Sequence, residues 1–208
     1  MKLLILGGTR FLGRYLVQSA LARGHQITLF NRGQSNPQLF PEVEQLRGDR
    51  TGNLDALRGR RWQAVIDTCG YASQRVRTTA ELLAPSVEHY TFISSISAYA
   101  DLSKAGLNEN APVATLPQAV VEDENNQATY GARKALCEQA AEASLPGRVL
   151  SIRPGIIIGP HDPTDRFTWW VRRIAQGGET VAPEHPDKPM QVIDVRNLAG
   201  WIVQMVES

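Results

Sequence analysis

The sequence has few of the features that would assign the protein to a specialised class. Its 208 residues contain no apolar run that approaches the ~20 residues of a membrane-spanning helix. Lysine and arginine number 22 and aspartate and glutamate 21, which gives a net charge of +1, and no long run of one sign occurs. We therefore expect no membrane partner. We also do not expect nucleic acid, because its binding normally needs a strongly basic surface.

Cysteine and histidine are scarce as well. The 2 cysteines, Cys69 and Cys137, do not have the spacing of metal ligands. The 4 histidines are spread along the chain at His25, His89, His161 and His185. We predict that the protein has no metal site, and we interpret both thiols as buried side chains of a protein in the reducing cytoplasm.

Short apolar runs alternate with helical patterns over the first three quarters of the chain. The runs predict strands at residues 2–6, 26–30, 43–46, 64–68, 90–94 and 149–152. Helical spacing predicts helices at residues 11–23, 73–83 and 129–143, and a short helix at 53–57. Repeated alternation indicates right-handed βαβ units. We therefore predict an α/β fold with a doubly wound parallel sheet covered on both faces, the Rossmann fold.

The pattern changes after about residue 155. A stretch rich in proline and glycine (153–165) precedes an amphipathic helix predicted at 166–176. A polar loop (177–189), a short strand (190–193) and a last helix (196–206), which Asp194 should anchor, complete the chain. The segment 101–127 has little periodicity, so we interpret it as a long connection of the kind that often covers a site.

A glycine-rich loop follows the first predicted strand and opens the first helix; it reads Gly7-Gly8-Thr9-Arg10-Phe11-Leu12-Gly13. In a parallel α/β sheet, the backbone amides and the helix dipole at this turn suit the pyrophosphate of a dinucleotide. The alternative is a purely structural turn, but the position directly after an apolar strand favours a nicotinamide dinucleotide. The residues predicted to bind it are Gly7, Thr9, Arg10, Phe11, Leu12 and Gly13.

The end of the second strand indicates which dinucleotide is preferred. Sites for NAD usually have Asp or Glu there to bind the ribose hydroxyls, whereas NADP sites use arginine for the 2′-phosphate. This chain has Asn31 and Arg32 there, and Arg10 stands where the loop usually has a glycine. The two arginines together would form a cationic clamp, so we predict a preference for NADP, with NAD as the alternative.

Tyr130 and Lys134 lie four residues apart at the start of a predicted helix and therefore share a face of it. A tyrosine with the ordinary pKa of about 10 is a poor base at neutral pH, but a nearby lysine cation favours the phenolate. Such a pair can exchange a proton with a substrate oxygen while hydride moves to or from a nicotinamide. The third member of the set should be a hydroxyl at the end of a central strand, from Ser94, Ser95 or Ser97. The alternative is a Tyr and a Lys on an ordinary helix surface.

These motifs, together with ISSISAY at 93–99 and RPG at 153–155, resemble the extended or atypical short-chain dehydrogenases/reductases of the NAD-dependent epimerase/dehydratase superfamily. In that family the catalytic Ser or Thr lies four residues before the Tyr of the strand-end motif, which selects Ser95 here. The resemblance implies that Tyr130 is the acid/base and that Lys134 lowers its pKa and holds the nicotinamide ribose. It also implies cofactor contacts from Asp49, Cys69, Gly70, Tyr71, Arg153 and Gly155.

The resemblance also divides the chain. Residues 1–155 would form the dinucleotide-binding domain, and residues 156–208 a small, truncated substrate-binding lobe whose last helix packs back on that domain. Arg10 is shared with a subgroup that includes bacterial epimerase-like proteins and plant chloroplast stem-loop RNA-binding relatives. Arg166 and Trp169 are candidate substrate contacts, with one of the adjacent Trp169 and Trp170 in the core. Equally, Thr164 or Asp165 could simply cap the helix that follows.

Two functions follow as hypotheses. The first is an NAD(P)-dependent oxidoreductase or epimerase/dehydratase that acts on a small carbonyl or sugar(-nucleotide) substrate with Ser95, Tyr130 and Lys134. The second is a non-catalytic NAD(P)-sensing or RNA-binding relative. A shortened substrate lobe argues for the second, whereas the intact Ser–Tyr–Lys set argues against it. A homodimer through the Tyr130 helix is a separate hypothesis about assembly.

Overall fold

The computed structural model describes residues 1–117, 122–182, 187 and 190–208. Within these residues one parallel sheet has the strand order β3-β2-β1-β4-β5-β6. Its strands are β1 (Lys2–Leu6), β2 (Gln26–Asn31), β3 (Glu44–Arg47), β4 (Ala64–Asp67), β5 (His89–Ile93) and β6 (Val149–Ile152). The chain thus winds outward from β1 to one edge and then to the other, so the predicted doubly wound Rossmann arrangement is confirmed.

The helices are α1 (Phe11–Ala22), α2 (Ser73–Leu83), α3 (Tyr130–Ser144), α4 (Arg166–Ala175) and α5 (Val195–Glu207). Their bounds and those of the strands differ from the predicted ones by two residues or fewer, which is within the fraying of element ends. One strand was missed. β7 (Ile156–Ile158) pairs in parallel with β8 (Val192–Asp194). Glycines flank this run of three residues, and β8, the strand with which it pairs, lies far along the chain. No local sequence pattern therefore predicts β7.

Strand β1 shows why the sheet is covered on both faces. Leu3 and Ile5 pack into a core with α1 and α5, whereas Leu4 and Leu6 pack into a second core with α2 and α3. All four side chains are fully buried. Because side chains alternate across a strand, only a continuous apolar run can serve both faces, and this explains the unbroken LLIL sequence.

Helix α5 follows β8 and lies along α1. It begins where the Asp194 carboxylate accepts a hydrogen bond from the backbone N–H of Arg196 (2.8 Å), which confirms the anchoring role predicted for Asp194. The apolar stripe of α5, which includes Leu198 and Ile202, is buried in the core that α1 shares. The helix therefore belongs to the same packed unit as the main sheet.

Helix α4 differs from two predictions. None of its residues is buried, and Trp169 is 47% exposed, so the prediction that one of the adjacent tryptophans lies in the core is wrong. Neither candidate cap acts as one. Asp165 has a left-handed backbone (φ 50°) and makes no capping hydrogen bond, and the Thr164 hydroxyl donates to Asp162 instead (2.6 Å). A capping side chain needs an extended backbone to reach the first amides of a helix, and Asp165 lacks it.

No helix in the described ranges is both long and apolar enough to cross a bilayer. The same residues contain no group of three or more His, Cys, Asp or Glu side chains arranged to hold a metal ion. His185 lies outside the described residues.

Candidate functional site

The glycine loop joins β1 to α1 at the carboxyl edge of the sheet. Gly7 and Gly8 have backbone φ values of +103° and +89°, which residues with a side chain rarely adopt. A Cβ on Gly13 would lie 2.8 Å from the Cα of Gly8, and a Cβ on Gly8 would lie 2.6 Å from the Leu29 side chain. The first turn of α1 therefore sits directly on the loop backbone. Side chains at these glycines would clash with the neighbouring protein, so glycine is required for the backbone cradle, whose N–H groups suit a pyrophosphate.

Asn31, at the end of β2, ties the glycine loop to the neighbouring strands. Its Nδ2 donates to the carbonyl of Gly7 (3.1 Å), and its Oδ1 accepts the backbone N–H of Gly33 (2.9 Å) and an N–H of Arg47. Arg47 ends β3 and is the register partner of Asn31. Arg47 was not among the residues predicted from the sequence. Its position at the end of the adjacent predicted strand was the available signal.

The two arginines predicted to clamp a phosphate have different neighbours. The pKa of Asp49 is lowered first by the backbone N–H of Thr51 (3.0 Å), and the charge of Arg32 lowers it further. Burial and the phenol of Tyr130 raise the pKa of Tyr71, and the charge of Arg10 lowers it. The charge of Arg32 is thus within electrostatic range of Asp49, and the charge of Arg10 is within electrostatic range of Tyr71.

A buried ionic network holds the turn after β4. The fully buried Asp67 accepts hydrogen bonds from Arg50 Nη1 (2.8 Å), the Tyr90 hydroxyl (2.7 Å) and the backbone N–H of Cys69 (3.0 Å). Arg50 also donates to Thr79 Oγ1 (3.1 Å). Burial and the charge of Asp67 raise the pKa of Cys69 to about 11, so its thiol stays protonated at neutral pH. This network was not predicted from the sequence, although an aspartate that ends a buried apolar strand needs partners.

Lys134 connects two turns at the carboxyl edge of the sheet. It is only 3% exposed, and its Nζ donates to the carbonyls of Gly70 (2.9 Å) and Ile93 (2.6 Å), which belong to the turn after β4 and to the end of β5. Burial lowers the pKa of Lys134 to about 8. An ammonium has three N–H donors, so one remains for another acceptor.

Ser95 and Tyr130 are brought together by close packing of α3 on the turn after β5. A Cβ on Gly131 would lie 2.9 Å from the carbonyl carbon of Ser97, so this approach requires glycine at residue 131. Burial raises the pKa of Tyr130, while the nearby Ser95 hydroxyl and the charge of Arg133 lower it in part. The net increase keeps the phenol protonated at neutral pH, so it is prepared to donate a proton.

Ser94 provides a buried hydroxyl beside this pair. It is 5% exposed, and its Oγ has no hydrogen-bond partner in the part of the chain that the structure describes. A buried polar atom left without a partner costs about 1–3 kcal/mol. Ser94 Oγ lies at the end of a central strand and therefore fits a site in which a bound ligand supplies the missing hydrogen-bond partner.

Arg153 is engaged by the protein itself. It makes two hydrogen bonds of 2.9 and 2.6 Å with the Glu138 carboxylate of α3, and its guanidinium carbon lies 4.5 Å from the ring centre of Tyr99. These contacts join α3 to the segments after β5 and β6. A Cβ on Gly155, the other residue of this motif expected near a cofactor, would lie 2.9 Å from the carbonyl oxygen of Gln191. The absent side chain thus lets the strand pair β7–β8 form.

The two candidate substrate contacts, Arg166 and Trp169, lie on α4. The charge of Arg166 lowers the pKa of Tyr130 in part, so its guanidinium is within electrostatic range of the phenol. Its Nε donates to Thr164 Oγ1 (2.7 Å). Trp169 lines a shallow groove on the outer side of α4 together with Arg172. Arg166 thus lies within electrostatic range of the Tyr130 phenol, and no contact links Trp169 to Tyr130 in the described residues.

The strand order and the glycine cradle define a nucleotide-binding Rossmann protein. Residues 3–208 match the NAD dependent epimerase/dehydratase family, and the chain belongs to that family. Family membership supports a nicotinamide dinucleotide as the cofactor.

Individual relatives differ in their activities. The chain is 31% identical over 183 residues to 2-alkyl-3-oxoalkanoate reductase from Stenotrophomonas maltophilia, an alignment that covers 78% of this chain and 52% of the relative. It is 28% identical over 215 residues to the chloroplast stem-loop binding protein of 41 kDa b from Arabidopsis thaliana, with coverage of 95% and 53%. The chain thus spans about half the length of these curated relatives.

A solved structure shows the same fold. UDP-glucuronic acid 4-epimerase from Bacillus cereus, in complex with UDP-glucuronic acid and NAD, superposes with a TM-score of 0.76 at 15% identity. The match covers 100% of this chain and 74% of that one.

Proposed function

We propose that the protein is a cytoplasmic NADP(H)-dependent oxidoreductase or epimerase/dehydratase that acts on a small carbonyl or sugar-nucleotide substrate. The observation that carries the proposal is the placement of Tyr130 beside Ser95, on the helix whose Lys134 bonds to both neighbouring turns. A phenol, a hydroxyl and a buried ammonium at the carboxyl edge of a dinucleotide fold can together support carbonyl reduction. Dimerisation through α3 stays a prediction.

The residues present fit a nicotinamide dinucleotide. The glycines of the loop let α1 begin directly on the loop backbone, whose N–H groups suit a pyrophosphate, and Ser94 Oγ and one N–H of Lys134 remain for hydrogen bonds. The residues proposed to hold the cofactor are Gly7, Thr9, Arg10, Phe11, Leu12, Gly13, Asn31, Arg32, Asp49, Cys69, Gly70, Tyr71, Arg153 and Gly155. Of these, Arg153 would act indirectly, because Glu138 and Tyr99 already hold it.

Each of the three groups has a separate task in the proposed reaction. When bound, the nicotinamide supplies or accepts the hydride. Tyr130, protonated at neutral pH, donates its proton to the substrate oxygen in the reductive direction, and Ser95 donates a hydrogen bond to the same oxygen. In this proposal Lys134 would stabilise the phenolate that remains, together with Arg133 and Arg166, the charges that lower the pKa of Tyr130 in part. Arg166 would attract an anionic group of the substrate.

Substitution of Tyr130 by Phe tests this assignment. We expect Tyr130→Phe to bind NADPH as the original protein does and to lose turnover by a factor of about 100 or more, because only the proton donor is removed. Binding is measured by NADPH fluorescence and turnover by NADPH oxidation with panels of aldehydes, ketones and UDP-sugars. Tyr15→Phe is the matched control, since that phenol instead donates to the carbonyl of Pro160 (3.3 Å). Unchanged turnover in Tyr130→Phe would contradict the assignment.

A second candidate is a non-catalytic dinucleotide-sensing or RNA-binding protein. The 28% identity to the chloroplast stem-loop binding protein, over 95% of this chain, favours it. Trp169 and Arg172 line a groove of about 240 Å³ on α4, and an aromatic ring beside a cation can stack on an unpaired base. Fluorescence anisotropy with a labelled stem-loop RNA, with and without NADPH, tests this candidate. RNA binding that Trp169→Ala abolishes, with no turnover on any substrate, would favour it over the enzyme.

A further inference from the structure

Arg133 of α3 is a buried cation without a carboxylate partner. Its side chain is 1% exposed, and among the described residues no aspartate or glutamate forms an ion pair with it. By contrast, two other largely buried arginines are paired, Arg50 with Asp67 and Arg153 with Glu138. Burying a charge without an opposite charge is costly, so packing alone does not explain an arginine at residue 133.

The guanidinium of Arg133 joins the segment before α3 to the turn after β4. Its Nε donates to Thr129 Oγ1 (3.3 Å), its Nη2 to the carbonyl of Asn126 (3.1 Å) and its Nη1 to the carbonyl of Tyr71 (3.2 Å). All three acceptors are uncharged, so these hydrogen bonds hold the guanidinium in place without neutralising it. Arg133 therefore fixes the start of α3 on the turn that is proposed to line the cofactor.

Arg133 also lies beside the phenol ring of Tyr130. Its Cζ is 5.9 Å from the ring centre, whereas Lys134 Nζ lies 4.3 Å from the ring centre of Phe92 and 5.2 Å from that of Tyr71. Burial lowers the pKa of Lys134 to about 8, so its ammonium loses its charge above that pH, but a guanidinium stays charged. Arg133 thus remains positive beside the phenol at pH values at which Lys134 is neutral.

The strongest influences on the Tyr130 phenol include no carboxylate. Burial raises the pKa of Tyr130, and the charges of Arg133 and Arg166 lower it in part. Arg166 is exposed, so water and salt screen its charge, whereas Arg133 is enclosed. A phenolate at Tyr130 would therefore supply the negative charge that Arg133 lacks. The groups around the phenol are Tyr71 of the turn after β4, Ser95 of the turn after β5, Arg133, Lys134 and Cys137 of α3, and Arg166 of α4.

We propose that Arg133 is a positioning residue for Tyr130, which fixes the start of α3 on the turn after β4 and supplies the buried positive charge that a Tyr130 phenolate neutralises. The inference rests on the proposed function, because Tyr130 is the acid/base of that site. The charge favours the phenolate, and the three hydrogen bonds keep the guanidinium beside the ring. Arg133 acts through Tyr130, since its own side chain is enclosed by the protein.

Titration of the phenol at residue 130 tests the proposal without cofactor or substrate. A fluorinated tyrosine in place of Tyr130 brings the titration of this one phenol into an accessible pH range, and ¹⁹F NMR measures its pKa. Arg133→Met removes the charge and keeps a long side chain, so the pKa of the phenol should rise by about one pH unit or more. Arg133→Lys keeps the charge and should reverse most of this rise.

Turnover provides a second measurement, with any substrate that the panels of carbonyl compounds and UDP-sugars reveal. Arg133→Met should lower kcat about tenfold and leave KM within about twofold, because the residue acts on proton transfer and does not touch the substrate. The loss should be larger above pH 8, where Lys134 is neutral.

Arg148→Met is the matched control. Its guanidinium also donates to two backbone carbonyls, those of Ala84 (3.0 Å) and Val87 (2.8 Å), but it lies just before β6, at the opposite edge of the sheet. This variant should leave the pKa of the phenol and the turnover unchanged.

Two results would overturn the inference and leave the proposed function standing: a phenol that titrates in Arg133→Met as in the original protein, or a pKa that rises as much in Arg133→Lys as in Arg133→Met. If Arg133→Met does not fold, Arg133→Gln takes its place with the same expected rise. If Tyr130→Phe keeps full turnover, the proposed function fails and the inference fails with it.

Discussion

Helices α4 and α5 are both amphipathic, yet only one of them is covered. Helix α5 buries its apolar stripe in the core that α1 shares, whereas α4 buries no residue. Two isoleucines show the difference directly, since Ile202 of α5 is fully buried and Ile174 of α4 is 68% exposed. Amphipathic spacing thus identifies an apolar face but does not say what packs on it.

The proposed site follows the same division. Tyr130 and Lys134 lie on α3, which packs on the main sheet, and Lys134 is 3% exposed. The candidate substrate contact Trp169 lies on α4 and is 47% exposed. Lys134 is therefore enclosed by buried neighbours, whereas Trp169 is not. Three substitutions would break or sharpen this contrast.

The largest effect is expected in the network below the turn after β4. Asp67→Asn leaves the buried guanidinium of Arg50 without its anionic partner, which should lower the free energy of unfolding by about 3–5 kcal/mol. Urea denaturation at neutral pH measures this loss. The control is the double variant Arg50→Met/Asp67→Asn, which removes the buried charge as well and should recover part of the stability. An Asp67→Asn protein as stable as the original would show that the pair does not support the sheet.

A smaller loss is expected from Ile202→Ala in α5. The side chain is fully buried between α5 and the rest of the core, so its removal leaves a cavity and should cost about 2–4 kcal/mol. The midpoint of urea denaturation reports this change if the slope of the transition stays constant. A loss below about 0.5 kcal/mol would mean that α5 is not packed on α1 in solution.

The smallest effect is expected from Ile174→Ala in α4, the same chemical change on the other helix. Ile174 is 68% exposed, and alanine favours the helix slightly more than isoleucine does, so stability should stay within about 0.5 kcal/mol. Urea denaturation measures the free energy of unfolding of this variant as well. If Ile174→Ala and Ile202→Ala lost equal stability, the contrast between the two helices would be wrong.

Most of the fold could be predicted because its signals are local. The apolar run of β1 and the glycines after it lie next to each other in the chain, and so do Tyr130 and Lys134 in the first turns of α3. Strand β7 was missed, because three residues between glycines carry no periodicity and the strand is defined by its pairing with β8. The prediction that Thr164 or Asp165 caps α4 was also wrong. The backbone of Asp165 is left-handed rather than extended, and residue type alone does not specify this.

Parts of the candidate site could not be predicted because their partners are distant in sequence. Asp67, Arg50 and Tyr90 come from three segments that meet only when the sheet forms. The predicted pairing of Arg10 with Arg32 on a phosphate relied on their common charge and stays a prediction. Arg47 reaches Asn31, since parallel pairing of β2 and β3 places their last residues side by side.

The sequence by itself determined the doubly wound sheet, the glycine loop after β1 and the Tyr130–Lys134 spacing, because strand, turn and helix signals act over a few residues. Only the tertiary structure decided which groups meet at the carboxyl edge. Packing of α3 on the turn after β5 placed Tyr130 beside Ser95, and strand register placed Arg47 beside Asn31. Burial then set the ionisation of Tyr130 and Lys134, since desolvation depends on neighbours that the local sequence does not specify.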